Sequence, residues 1–358
     1  MPAAGLSGPE NGAPGPGALS QRRVALRVGA ALAALLTVLI AAALAGGLEL
    51  SRIDGGPEAT WARSSGHDAL WMGRIWAQGE YSPAQLDQLT GRIRDSGISD
   101  VYVFVGQMSP DGHLDPVRYA RARQFLAAFR SGLPQVRVSA WMSGVLGSGN
   151  ISLASAATRG QITASAAAVL RAGFSGIHYD LEPVPSGDPD YLRLLRATAG
   201  LQPRPEPLSV SVPKLEPLPG LRLPWQTTRV GPVFWTPAYL TAVSRNTDQI
   251  DLMAYDTTMP FRSWYGGYVA RETELALGAV PARVQLLIGI PCYHYTNFVH
   301  SDAAETVATA VQGVRVALTA SHASSRVVGV ALFADYSSTP QDWRSYVADW
   351  RKPGRAPS

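Results

Sequence analysis

The sequence predicts an α/β protein, a (β/α)8 TIM barrel preceded by a single N-terminal transmembrane helix. Three observations predict it. From residue 68 onward, strand-like and helix-like segments alternate through eight rounds over about 285 residues, the count and size of such a barrel. Alternation of this kind builds a parallel sheet, and eight units favour closure over an open, doubly wound sheet. Finally, one strand runs into a pair of carboxylates at its C-terminal end, where barrels of this type carry their active sites.

Residues 1–21 are rich in Gly, Pro, Ala and Ser and show no apolar period, so they read as a disordered tail. Arg22, Arg23 and Arg27 follow, then an uncharged run over residues 28–48, whose 21 residues suffice to cross a bilayer as a helix. Arginines ahead of the run place residues 1–27 in the cytoplasm and the remainder outside. Ala43-Leu44-Ala45 also fits a small-x-small cleavage site, so a removed signal peptide is the alternative to an uncleaved anchor. Residues 49–67, with Gly55-Gly56-Pro57, read as a linker, 68–352 as the barrel and 353–358 as a tail.

Within the barrel, Ala69–Trp76 is the first strand. Ser82-Pro83 then offers an N-cap with proline at the first helical position, and Gly97 ends that helix. Ile98–Val105 is strand two, residues 116–130 a helix, Val136–Met142 strand three, and residues 161–171 an Ala-rich helix. Strand four is the stretch Gly173–Pro183; a helix near residues 190–199 and strand five at Leu208–Val212 come next. Thr236-Pro237 opens a helix ending near Arg245, followed by strand six at Gln249–Tyr255 and a helix over roughly residues 270–277. Val284–Ile290 is strand seven, residues 303–320 a helix, Val327–Phe333 strand eight, and residues 341–349 the closing helix.

Composition narrows the function. The 358 residues carry a formal charge of +4, with much of the basic excess near the N-terminus and no Lys/Arg stripe interleaved with aromatics, so nucleic acid is not an expected partner. Cys292 is the only cysteine, which excludes an internal disulfide and a multi-cysteine metal site. No nucleotide-binding glycine loop is present. His113, Asp115, His294, His300 and Asp302 fall at no recognised ligand spacing, so neither a metal nor another cofactor is expected.

Strand four carries the chemistry. Residues i and i+2 share a strand face, so Gly176, His178, Asp180 and Glu182 point one way and Ile177, Tyr179 and Leu181 the other. A face of His, Asp and Glu is costly to bury unless its members pair or react. Aromatic residues gather at the strand ends expected to form the same rim. They are Trp76 after strand one, Trp141 on strand three, Tyr255 on strand six, Tyr293 and Tyr295 after strand seven, and Phe333 and Tyr336 at strand eight. Trp225, Trp235, Trp264 and Tyr265 lie in intervening loops. Flat apolar rings beside carboxylates suit a groove for sugars.

Strand four resembles the fourth-strand signature DxxDxDxE of glycoside hydrolase family 18, the chitinase-like enzymes, with Asp180 and Glu182 on its last two acidic positions. Ser175 and His178 stand where the two earlier Asp residues would be. A second family motif, MxYD on strand six, is intact as Met253-Ala254-Tyr255-Asp256. The third-strand SxGG pattern survives only as Ser139, and Phe333 takes the place of the family's eighth-strand Trp. The resemblance implies a remote member acting on N-acetylhexosamine-containing glycans of a cell envelope or matrix. Glu182 would be the general acid, its pKa raised by aromatic crowding and by Asp180. Asp180 would steer the substrate's own acetamido group onto the anomeric carbon, with Tyr255 and Asp256 bonding around it. In the family an Asp at position 178 shares a proton with Asp180; His178 is instead expected to hold Asp180 as an anion. Two alternatives stay open: a non-catalytic, lectin-like barrel, and a retaining glycosidase using Glu182 and Asp256 as its two carboxylates.

Overall fold

In a computed structural model the protein is described over residues 16–220 and 234–353, with side chains from residue 27 onward. Residues 1–15 of the disordered tail expected over residues 1–27, residues 354–358 of the tail expected over 353–358, and Trp225 lie outside the described residues. Residues 16–27, expected to be disordered, are instead the first turns of a helix that continues into the apolar run. The chain divides into two units, residues 1–48 and 49–358.

The first unit is dominated by helix α1 (Pro16–Asp54), whose stretch from Arg27 is long and apolar enough to span a membrane or serve as a signal sequence. Its large apolar side chains, among them Leu35, Leu36, Leu39 and Leu44, are exposed. An apolar helix exposed in this way suits a membrane span or a signal sequence.

The second unit is a closed barrel of eight parallel strands in sequence order. The strands are β1 (Ala69–Met72), β2 (Asp100–Gln107), β3 (Arg137–Val145), β4 (Gly176–Glu182), β5 (Leu208–Val212), β6 (Gln249–Met253), β7 (Gln285–Pro291) and β8 (Val328–Phe333). β1 closes on β8 through the pairs Ala69↔Ala331 and Leu70↔Leu332. Below this seam the buried Asp68 accepts hydrogen bonds from the Val330 amide, the Trp350 indole and the Tyr346 hydroxyl, each at 2.8 Å. One carboxylate thereby ties the first strand to the last and to the chain's C-terminal turn.

The surrounding helices are α2 (Ile75–Gln78), α3 (Pro83–Ser96), α4 (Ala122–Gly132), α5 (Ala156–Arg171), α6 (Pro189–Ala199), α7 (Pro237–Ser244), α8 (Arg262–Ala279), α9 (Val307–Ala320) and α10 (Pro340–Ser345). Their starts follow the capping chemistry of the sequence. Ser82 and Gln85 form a reciprocal capping box on α3, and Thr236 caps α7 ahead of Pro237.

Several boundaries differ from the sequence reading. β1 stops at Met72, and Ile75–Gln78 coil into one helical turn closed by Gly79 at φ 76°, a left-handed conformation suited to glycine. The helix expected over residues 116–130 divides into a 3-10 turn at Pro116–Tyr119 and α4, and α8 starts at Arg262, ahead of its expected position. The linker expected over residues 49–67 is not irregular throughout. Residues 49–54 continue as helix, Leu50 is buried in the barrel unit, and Ser51 Oγ lies 2.9 Å from Ser263 Oγ of α8. Packing of Leu50 overrides the loop tendency of the neighbouring Gly55-Gly56-Pro57.

The main apolar core lies between sheet and helices, where every second strand residue meets the helix layer. Inside the barrel the lining is mixed. Trp71, Tyr102, Trp141, Leu287 and Ala331 form a small apolar cluster, while His178, Ser209, Ser211, Gln249 and Asp251 supply buried polar groups. Barrels of this type usually fill the lumen with branched aliphatics, so a polar lumen is a cost that some other requirement must offset.

Candidate active site

The parity of β4 positions the site. His178, Asp180 and Glu182 rise along the inner face from barrel floor to mouth, while Tyr179 turns outward to donate to or accept from Thr198 at 2.9 Å. Asp180 sits at the rim, where Oδ2 accepts from the Trp141 indole at 2.9 Å. Glu182, one step further out, is exposed at the end of the strand, and its carboxyl makes no hydrogen bond among the described residues. A carboxylate that braces a loop would be bonded; this one is left to act on something else.

The electrostatics separate the carboxyls. Crowding by protein raises the Glu182 carboxyl to about 7, with Asp180 and Asp256 adding to the rise and Lys214 opposing it. Burial also raises Asp180, partly offset by the Trp141 hydrogen bond. Glu182 itself is exposed, so solvent moderates its shift, but burial and the Asp180 charge act in the same direction. Asp256 goes the other way. Burial works against its ionisation, yet hydrogen bonds from His300 and Tyr293 and the charge of Lys214 outweigh that cost and hold it below the ordinary carboxylate range. Near neutral pH the site thus offers a protonated acid beside an ionised carboxylate.

Asp256, itself half-buried, forms a triad with the buried His300 and Glu305. His300 Nδ1 lies 3.1 Å from Glu305 Oε2 and 3.5 Å from Asp256 Oδ1, and the two carboxylates raise His300 to about 9 despite its burial. Glu305 in turn accepts from the amides of Asp256 at 2.7 Å and Thr257 at 2.9 Å. The three side chains offer ligand atoms within 4.8 Å of one another, but the histidine lies between the two carboxylates as an ion pair.

The aromatic residues sort into two groups. Phe333 stacks on Tyr255 with ring centroids 5.3 Å apart and meets Trp71, Trp141 and Tyr293 edge-on. Tyr293 donates to Asp256 Oδ1 at 2.7 Å. Trp141 also lines an apolar cleft of about 360 Å³ with Gly73, Arg74, Ile75, Phe104 and Tyr336. Trp141, Tyr255, Tyr293 and Phe333 are therefore gathered around the carboxyls. Trp76 is not: it sits on α2, packs between Tyr81 and Phe125, and donates its indole N–H to Asp335. A place at the rim requires β1 to run on to Trp76, whereas β1 ends at Met72. Trp235 and Tyr265 are likewise buried, each donating to a backbone carbonyl, Val184 and Ala254 respectively.

His178 also differs from expectation. Its Nδ1 lies 2.9 Å from Ser209 Oγ, its Nε2 lies 2.9 Å from Ser211 Oγ and accepts from Trp71, and its ring stacks on Tyr102 at 3.8 Å. Both ring nitrogens are engaged below the site, so it makes no hydrogen bond to Asp180. Burial lowers it to about 3, leaving a neutral imidazole in the barrel floor rather than a cationic partner or a substrate ligand.

Lys214, Asp251, His300 and Glu305 were not singled out for this site by the sequence reading. Lys214 follows β5 by two residues, at the rim position the other strands use. Asp251 has the inward parity of Gln249 and Met253 on β6, the same signal that exposed Asp180 on β4.

No protein-family model matches the sequence, and no curated protein does. Solved structures match over most of the chain. The Bacillus cereus spore cortex-lytic enzyme SleL is 15% identical with a TM-score of 0.56, covering 80% of this chain and 75% of that one. A chitinase from Chromobacterium violaceum is 18% identical with a TM-score of 0.51, covering 78% and 97%. The family 18 chitinase from Cycas revoluta, in complex with (GlcNAc)3, is 15% identical with a TM-score of 0.52, covering 78% and 97%. At these identities the likeness establishes the fold: this chain carries the barrel of the chitinase-like enzymes.

Proposed function

We propose that the barrel is a glycoside hydrolase that cleaves N-acetylhexosamine-containing glycans of a cell envelope or matrix. The observation that carries this reading is Glu182: exposed at the end of β4, without a hydrogen bond among the described residues, and raised to about 7 beside Asp180. Similar structures include a chitinase holding (GlcNAc)3 and a cortex-lytic enzyme, which favours the same substrate class.

The chemistry follows from the placement. Glu182 donates its proton to the glycosidic oxygen as the bond to the anomeric carbon breaks. The acetamido carbonyl oxygen of the same sugar forms the new bond to that carbon. Asp180, held by Trp141, stabilises the acetamido N–H as positive charge develops there. Water then adds to the anomeric carbon, giving its proton back to Glu182, and the acetamido group is released. Tyr255, Asp256 and Tyr293 bond around the acetamido group, and Phe333 is the apolar floor beneath the sugar.

Glu182→Gln keeps the shape and removes the proton. Hydrolysis of chitooligosaccharides is expected to fall by about 10²–10⁴-fold while glycan binding persists. Unchanged activity in this variant would place the acid elsewhere, and a wild-type protein that binds but hydrolyses nothing would favour the lectin-like alternative.

The apolar part of α1 is read here as an uncleaved anchor that leaves the barrel outside the cytoplasm. Full-length protein should then resist extraction by carbonate; a mature N-terminus at Gly46 would instead mark a cleaved signal peptide.

A further inference from the structure

The reaction above leaves Asp251 without a task, yet the barrel is arranged around it. β6 pairs in register with β5 and β7 so that Asp251 lies between Ser211 and Leu287. Ser211 faces the lumen, since its hydroxyl reaches His178 Nε2 at 2.9 Å, and Asp251 shares that level. Gly289 opens the space on the other side. A Cβ there would stand 3.2 Å from both Asp251 Oδ1 and Tyr255 Cε1, so Asp251 occupies room beside the Tyr255 ring that any larger residue would close.

Asp251 is fully buried, and neither of its carboxyl oxygens has a hydrogen-bond partner among the described residues. A buried carboxyl without donors stays protonated, because ionising it would desolvate a charge with no compensation. The groups that face it reinforce this. Asp180 on β4 raises it further, Tyr255 at the end of β6 and Tyr102 on β2 are neutral phenols whose ionisation it opposes, and His178 is a neutral imidazole. Leu287 and Gly289 on β7 bring no charge.

We propose that Asp251 is a positioning residue, the site's second inner carboxyl, which keeps its proton and offers it as a hydrogen bond to Asp180 in the working site. The pair then carries a single negative charge, on Asp180, where the acetamido N–H is met. The carboxyl expected at position 178 stands on β6 instead of β4, which frees position 178 for a structural histidine. This inference rests on the glycosidase reading.

Two measurements test it. Infrared difference spectra of wild type against Asp251→Asn at neutral pH should show the loss of one un-ionised carboxylic acid band. Kinetics should separate Asp251→Asn, which keeps a donor of the same shape, from Asp251→Ala, which keeps none. The Ala variant is expected to lose about tenfold in kcat with KM changed by less than about twofold, as for an interaction made mainly in the transition state. The Asn variant should recover to within about threefold of wild type, because its amide restores the donor. If Ala does not fold, the spectra of the well-folded Asn variant decide. An active enzyme whose acid bands are untouched by Asp251→Asn, or Asn and Ala variants of equal kcat, would overturn the proposal alone. A protein showing the band but hydrolysing no glycan would overturn the glycosidase reading, and the role in turnover with it.

Discussion

The Trp141 indole donates to Asp180 Oδ2 across 2.9 Å, joining a wall of the apolar cleft to a carboxylate near the end of β4. A single side chain thus lines the apolar cleft and lowers the cost of ionising Asp180, whose burial otherwise raises its pKa. Trp141→Phe keeps an aromatic wall and removes the donor. The Asp180 pKa should rise further, and kcat should fall by about tenfold, the worth of one hydrogen bond to a charged group. The acidic limb of the kcat/KM profile should move to higher pH. A limb that stays in place would mean that Trp141 acts only as a wall.

The triad of His300, Asp256 and Glu305 is a stability element with a defined pH window. His300 is raised to about 9 in the fold, above its usual value near 6.5. Its contribution is therefore complete below about pH 6.5 and lost as pH rises through about 9. His300→Gln would leave two carboxylates without their cation, a loss of about 3 kcal/mol. The melting temperature of the variant should lie well below wild type near neutral pH and approach it above about pH 9. A difference that is constant with pH would remove the charge from this account.

His178 gives the opposite window. With its pKa lowered to about 3, the neutral ring stabilises the fold above about pH 6.5, and that contribution is lost progressively as pH falls toward about 3. Because it bonds Ser209 and Ser211 and not Asp180, His178→Asn should lower stability at neutral pH without moving either limb of the pH-rate profile. The alkaline limb should remain where Glu182 puts it, near pH 7, with activity falling above it as the acid proton is lost. A limb displaced by His178→Asn would restore a direct role beside Asp180.

The sequence showed what depends on local period. Strand parity alone placed Asp180 and Glu182 on one face, and the intact Met253–Asp256 motif located the second wall of the site. What escaped depends on contacts between strands. Position 178 has the right parity for the site, but only the register against β5 reveals Ser209 and Ser211 as its partners. Trp76 failed for a different reason, since an apolar run can end a strand or start a helix, and Gly79 in a left-handed cap decided for the helix. His300 and Glu305 reach Asp256 from 44 and 49 residues downstream, a distance at which no spacing rule operates. Asp251 is legible by the same strand parity that marks Asp180 on β4.

The central claim is that the substrate's own acetamido group is the nucleophile, with Asp180 holding it and Glu182 as the acid. The most direct measurement compares turnover of matched oligosaccharides with and without the N-acetyl group on the sugar being cleaved, each in the presence and absence of a thiazoline mimic of the cyclised intermediate. The account predicts hydrolysis only of the N-acetylated substrate and competitive inhibition by the thiazoline. Brisk hydrolysis of the substrate lacking the N-acetyl group, indifferent to the thiazoline, would contradict it and transfer the nucleophile's role to a second carboxylate such as Asp256.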